Sequence, residues 1–390
     1  MTTIDRSPGI RIVPFSPPDI GEEEIREAVD TLRSDWITTG PKTALFEHEF
    51  AAYVGAPGAL ALNSCTAGLH IALATLGIRP GDRVATTPMT FAASVNVIEH
   101  VGATPVLVDV EPDTLNLSPQ ALASVGPVDA VIAVHYAGHP VDVDALHAYA
   151  QRHGVPVVED AAHAVAARHR GRMIGSHGNL TAFSFYATKN MTTCEGGMLT
   201  GDAKLLERAR VLHLHGMSKD AARRYEKGGS WRYDILAPGF KYNMTDLAAA
   251  IGRVQLRRLE SFQRRRREIV ARYDAAFASI EELQGPSVRP EVDSSHHLYV
   301  LRLHLDRLRI DRDEFVLRLA RAGVTASVHF IPIHVHPYYR ERYGWRAHDY
   351  PVAYGNFLRM LSLPLFSRMT DADVDHVVDS VRGIVDATRR

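Results

Sequence analysis

The sequence predicts an α/β fold: a mostly parallel sheet covered by helices, followed by a smaller α+β domain. Three observations carry this. Short apolar runs alternate with helical patterns over most of the chain, a long helical pattern follows them, and a proline-rich break ends it. With 390 residues, the chain exceeds what one typical core accommodates. Taken in order, residues 22–34 and 42–54 read as amphipathic helices. Residues 83–86, 105–109, 130–134 and 156–159 are short and apolar, the pattern of buried strands, with helical patterns at 92–101 and 143–153 between them. The helical pattern 245–280 leads to Gly285-Pro286-Ser287-Val288-Arg289-Pro290, which we take as the boundary between residues 1–285 and 286–390. Beyond it, 298–304, a helix over 312–322, and 327–331 read as the smaller domain.

Three turns between these elements carry chemistry. Residues 60–73 run from a short apolar strand through Asn63-Ser64-Cys65-Thr66 into a helix, so backbone N–H groups and hydroxyls gather at a helix N-terminus, a ready anion site. Ser64 and Thr66 equally suit plain helix caps. In residues 155–164 an apolar strand ends in Glu159-Asp160 and is followed by His163. A carboxylate at the C-terminal edge of a parallel strand sits where ligands of such sheets bind; a helix N-cap is the bland alternative. Third, the β-prone stretch 181–186 leads to Ala187-Thr188-Lys189-Asn190, with Ser184 just upstream. A lysine at a buried strand end has its ammonium pKa lowered and can form a Schiff base, where a surface lysine would stay charged.

The bulk composition excludes several classes. Lys and Arg total 44 against 45 Asp and Glu, a net charge of −1, which leaves no global electrostatic case for nucleic acid. The run from Arg264 to Arg267 falls in the long helical pattern and reads as a solvated face beside Glu260 and Glu268, with an anion or subunit contact as the alternative. Two cysteines, Cys65 and Cys194, make no disulfide framework and fit a reducing cytoplasm. Met1 to Ser7 has no signal-peptide core, and no stretch approaches the roughly 18 apolar residues of a membrane span. Of the 20 histidines, His329, His334 and His336 cluster in sequence, yet no cysteine lies near to complete a zinc set; no metal is expected there, and a polar loop over a substrate site, with Tyr338 beside it, is the better reading.

The three turns, in this order, resemble the DegT/DnrJ/EryC1/StrS family of sugar aminotransferases. Further runs extend the resemblance over nearly the whole chain: Ser34-Asp35-Trp36-Ile37-Thr38-Thr39-Gly40-Pro41-Lys42, Thr86-Thr87-Pro88-Met89-Thr90-Phe91, Val134-His135-Tyr136-Ala137-Gly138, Lys241-Tyr242-Asn243-Met244-Thr245-Asp246 and Leu361-Ser362-Leu363-Pro364. The resemblance implies a fold-type I, seven-stranded sheet and pyridoxal 5'-phosphate as cofactor, with pyridoxamine 5'-phosphate as its aminated form. It implies that Lys189 holds the cofactor covalently, Asp160 pairs with the pyridine nitrogen, His163 lies beside the ring 3-hydroxyl and Phe91 stacks on the ring. Ser64, Cys65, Thr66 and Ser184 fall on the phosphate side, and Asn243 matches an asparagine that reaches the phosphate from the neighbouring subunit of a homodimer. Cys65 departs from the glycine or alanine of many relatives and suggests sensitivity to oxidation. The implied reaction moves nitrogen from glutamate to a nucleotide-linked keto-sugar. The runs from Trp36 to Lys42 and from His329 to Pro332 favour enzymes acting at C4, with Thr38, Lys42, His329 and Tyr338 as substrate-side candidates; a C3 ketone or a cyclitol ketone could use the same machinery. Lys189 argues against a dehydratase of the family, where this lysine is replaced. A non-catalytic cofactor-binding sensor would not need both Lys189 and Asp160.

Overall fold

A computed structural model describes residues 11–218 and 232–390; the N-terminal segment Met1 to Ser7 lies outside them. The large sheet is built from β1 (Ala59–Leu62), β2 (Arg83–Thr86), β3 (Thr104–Leu107), β4 (Ala130–Val134), β5 (Val157–Asp160), β8 (Leu180–Ser184) and β9 (Gly197–Thr200), in the order β1-β9-β8-β5-β4-β2-β3. From β8 to β3 every pairing is parallel, while β9 runs antiparallel to both β1 and β8. The chain between β5 and β8 carries the hairpin β6 (Arg168–His169) and β7 (Arg172–Met173), to whose β6 the short β11 (Val292–Asp293) adds. All residues of β1, β4, β5, β8 and β9 are buried, as continuous apolar strands between two helical layers must be.

One apolar cluster packs Phe46, Phe50, Phe183 and Phe185 beneath the sheet; another gathers Leu60, Leu69, Ile71 and Ala182 under the helix Cys65–Leu76. The smaller sheet, β10 (Leu283–Gln284), β12 (Tyr299–Leu303) and β13 (Met360–Leu363), is antiparallel and has its own core around Tyr273, Phe315 and Val377. That core also takes in Val13, and β10 pairs with β12 across the proline-rich break. Residues 327–331, expected to help form this domain, hold no strand. Only Ser327 bridges to Ser362, and β13 supplies the third strand instead.

The long helix Asp246–Phe277 starts where Thr245 accepts the Ala248 N–H at 3.2 Å. Its arginine run is not a solvated face throughout. Arg265 pairs with Glu268 and Asp371, but Arg266 is buried and donates to the carbonyls of His296, His297 and Leu365. Burial pulls its pKa down to about 10.

Candidate active site

The C-terminal ends of β5 and β8 and the start of the helix Cys65–Leu76 converge on a cavity of about 650 Å³, lined among others by Asp160, Lys189, Ser64, Phe91 and His163. Asp160 is the last residue of β5 and is 5% exposed. Its carboxylate accepts the Ser94 hydroxyl at 2.7 Å and the Ala162 N–H at 3.1 Å, and the Cys65 thiol approaches at 3.8 Å. Lys189 follows β8 in a turn closed by its own N–H to Tyr186 O at 2.9 Å. Burial pushes its ammonium down to about 8, against the opposing pull of Cys65 and Asp160. At pH 7 roughly one amine in ten is therefore uncharged and nucleophilic, far more than for an ordinary lysine.

At the turn Asn63-Ser64-Cys65-Thr66, Ser64 is the helix N-cap, its Oγ accepting the Ala67 N–H at 3.1 Å. The cap reading thus holds for Ser64, which lines the cavity together with Cys65 and Thr66. Cys65 Sγ turns inward, 3.4 Å from Ala182 O, and burial pushes its thiol pKa well up. That holds it protonated and lowers its reactivity, against the expected sensitivity to oxidation. A Cβ on Gly197 would meet Ser64 C at 2.4 Å and Cys65 N at 2.6 Å, so only glycine lets β9 run beneath this turn. Replacing Ser64 with Ala is expected to lower stability by roughly 0.5–2 kcal/mol, read as a shift in the denaturant midpoint at unchanged slope.

His163 is buried, and its Nδ1 has no hydrogen-bond partner among the described residues. Burial drives its pKa well down, with the charge on Lys189 adding to the effect. Its ring lies 4.2 Å from His297 and 5.7 Å from Phe330, stacked on the latter. Phe91, 65% exposed at the cavity mouth, leaves a free aromatic face. His329 lines the same wall, stacked on Phe15 and bonded to Ser362 at 3.0 Å.

Four expected residues do not line the cavity. Tyr338 is turned to Glu99, its hydroxyl donating at 2.5 Å. Lys42 is held by Glu27 and Thr31 at 2.9 Å each, and Thr38 is exposed with its carbonyl taken by the Asp246 N–H. Asn243 donates to Thr39 Oγ1 at 2.6 Å, so the segments around Thr39 and Asn243 form one surface beside β1. Among the described residues no group of three or more His, Cys, Asp or Glu is placed to hold an ion. Buried His334 instead meets Ala347 O and Tyr350. Sequence reasoning missed Ser94, Phe15, Phe330 and His297. Ser94 had a usable signal, lying three residues after Phe91 at a helix start; the other three reach the cavity only through tertiary packing.

The residues suit a phosphorylated pyridine aldehyde. Lys189 offers an amine, Asp160 an acceptor held on two sides, His163 an unpartnered nitrogen, Phe91 a ring face, and the turn at Thr66 a helix N-terminus with its N–H groups.

Residues 18–382 match the DegT/DnrJ/EryC1/StrS aminotransferase family. The spore coat polysaccharide biosynthesis protein SpsC of Bacillus subtilis is 50% identical over 377 residues, covering 96% of this chain and 97% of its own. Among solved structures, Spr1654 from Streptococcus pneumoniae in its PMP-form has a TM-score of 0.90 at 37% identity, over 96% of this chain and 99% of that one. Its PLP-form has a TM-score of 0.89 at 36% identity, over 97% of this chain and 99% of that one. Sugar aminotransferase CalS13 from Micromonospora echinospora has a TM-score of 0.86 at 30% identity, over 95% and 100%.

Proposed function

Since the chain belongs to the DegT/DnrJ/EryC1/StrS aminotransferase family, we propose that it transfers nitrogen from glutamate to the C4 ketone of a nucleotide-linked sugar. The coarser statement needs no proposal: it is a sugar aminotransferase that works with pyridoxal phosphate and its pyridoxamine form. The observation that supports the reading most is the pairing, in one cavity, of an amine brought to about pKa 8 with a buried carboxylate oriented by Ser94 and Ala162.

When bound, the cofactor supplies an electron sink for the charge left as a proton departs from carbon beside nitrogen. Asp160 accepts the ring N–H and keeps that nitrogen protonated, while the Ser94 hydroxyl and Ala162 N–H stop the carboxylate from turning away. Lys189 Nζ, uncharged in roughly one molecule in ten at pH 7, would take the proton from the donor's α-carbon and return it on the same side of the cavity. Phe91 provides the stacking face, and Thr66, Ser184 and the N–H groups of the turn, with Cys65 contributing backbone only, take the phosphate. His329 is the substrate-side group that we retain. In this reading residues 1–285 hold the cofactor and 286–390 form the smaller domain, whose core reaches back to Val13 and the end of the long helix. The setting we assign is a reducing cytoplasm. Both cysteines are unpaired, and among the described residues no helix is long and apolar enough to cross a membrane.

A panel of nucleotide keto-sugars incubated with glutamate, with products identified by mass spectrometry, tests this. A C4 amine with 2-oxoglutarate is expected. A C3 or cyclitol amine would move the position, and an amino sugar formed without 2-oxoglutarate would refute glutamate as the donor.

We further propose a homodimer whose sites draw on both chains, because Asn243 is absent from the lining of its own cavity and donates to Thr39, in the segment that carries Thr38 and Lys42. Mixing inactive Lys189→Ala protein with an inactive, bulky Asn243 variant is expected to restore activity: roughly half the dimers formed by random exchange are mixed, and each holds one intact site. No recovery despite proven exchange, or a monomer at working concentration, would refute the shared site.

A further inference from the structure

The wall of the cavity holds a hydrogen-bond acceptor whose identity is set by a neighbour outside the roles assigned above. Asn190 directly follows Lys189, and its amide orientation is fixed: Nδ2 donates to Ser295 O at 2.8 Å. Its Oδ1 therefore faces His297 Nδ1, at 2.9 Å. An amide oxygen can only accept, so Nδ1 must carry the proton. In the neutral ring Nε2 is then a bare lone pair, and it has no hydrogen-bond partner among the described residues.

The backbone around His297 leaves its ring little freedom to escape this arrangement. Its N–H donates to Ala137 O at 3.1 Å, its carbonyl accepts from buried Arg266 at 3.3 Å, and the ring packs 4.2 Å from His163. His297 lines the cavity together with Lys189, His163 and Phe330. Burial lowers its pKa well below the usual imidazole range, and the neighbouring ionisable groups His163, Lys189 and Arg266 work in the same direction. A neutral acceptor is therefore kept at a place where a charged imidazolium would otherwise donate.

We propose that Asn190 locks His297 in the Nδ1–H tautomer so that Nε2 accepts a hydrogen bond from a hydroxyl of the bound ligand. His297 is thus a binding residue and Asn190 its positioning residue. Such an acceptor favours a neutral hydroxyl and disfavours a carboxylate or phosphate oxygen at this wall, because two lone pairs would face each other. Two hydroxyls share this chemistry, that of the cofactor ring and one on the keto-sugar. The source rests on the function proposed above; the tautomer does not.

Nitrogen-labelled histidine in the protein without ligand gives the first test. Two-bond proton–nitrogen spectra should show His297 with its proton on Nδ1 and without titration through neutral pH. In Asn190→Ala the lock is absent, and the tautomers should mix while the unfolding midpoint shows the protein still folded. Binding is the second test, with His297→Phe keeping the ring shape and removing the acceptor. Titration with pyridoxal 5'-phosphate reads the cofactor arm, and the KM of the keto-sugar found active in the panel reads the sugar arm. A loss of roughly tenfold in one arm is expected, and the arm affected identifies the hydroxyl. An Nε2–H tautomer in the wild type, or both constants within about twofold of wild type in folded His297→Phe, would overturn the proposal. A failed panel would count against the proposed reaction only, since the spectra and the cofactor arm do not depend on it.

Discussion

Lys189→Ala is expected to fold normally and to lose turnover by roughly 10³-fold or more, since both covalent capture and proton transfer go with the amine. The fold should survive because the turn is closed by the backbone N–H of residue 189 to Tyr186 O, which alanine keeps. Borohydride reduction of the wild type with cofactor, followed by peptide mapping, should place the label on Lys189; a label on another lysine would sink the assignment. The pKa of about 8 adds a pH signature. Below it the neutral fraction falls tenfold per pH unit, to about one in ten at pH 7. The rate of cofactor capture should climb with pH and level off above 8. The sign of the stability linkage follows from the same shift. The unfolded lysine, at its ordinary value near 10.5, binds more protons than the folded one between about pH 8 and 10.5. This group's contribution therefore makes stability rise with pH across that window and hold a constant penalty below it.

Asp160→Asn should bind cofactor yet lose most activity. An amide keeps one oxygen to accept the Ala162 N–H, and its NH2 can donate to the Ser94 hydroxyl, so the side chain keeps its place, but it cannot form an ion pair with a ring N–H. The loss of such a charge-assisted bond is roughly 1.5–3 kcal/mol, and the effect on the developing charge adds to it. The measurement is kcat together with the cofactor's dissociation constant. A strong fall in kcat with a modest change in binding is expected; near-normal turnover would reject the role. Ser94→Ala, which only loosens the carboxylate, should fall between the two enzymes.

The strand ends were legible because they obey local rules. Residues 83–86 and 130–134 are apolar runs bounded by turns, and the structure places strands on those spans. The turn at Ser64 and the carboxylate at Asp160 were legible for the same reason: strand, turn and helix follow within a few residues. What stayed hidden was non-local. Nothing near Arg266 in sequence shows that the carbonyls of His296, His297 and Leu365 will close around it, so four consecutive arginines read as a wet face. Residues 327–331 look like a strand but are left with one bridge, because Met360–Leu363 takes the place beside β12. Tyr338 is near His329 in sequence, yet the short helix Pro337–Tyr343 turns it to Glu99.

β9 has one more consequence. Gly197 pairs with Leu62 on one side and Ser184 on the other, so a single strand is the spacer between the Ser64 turn and the Lys189 turn. Two strand spacings, roughly 9 to 10 Å, fix the gap between them in the backbone itself. A one-residue slip of β9 would move it by about 3.3 Å along its neighbours and turn its side chains over. That spacing belongs to the sheet itself and does not depend on the cavity's other walls, such as His329 and Phe330, which come from outside it.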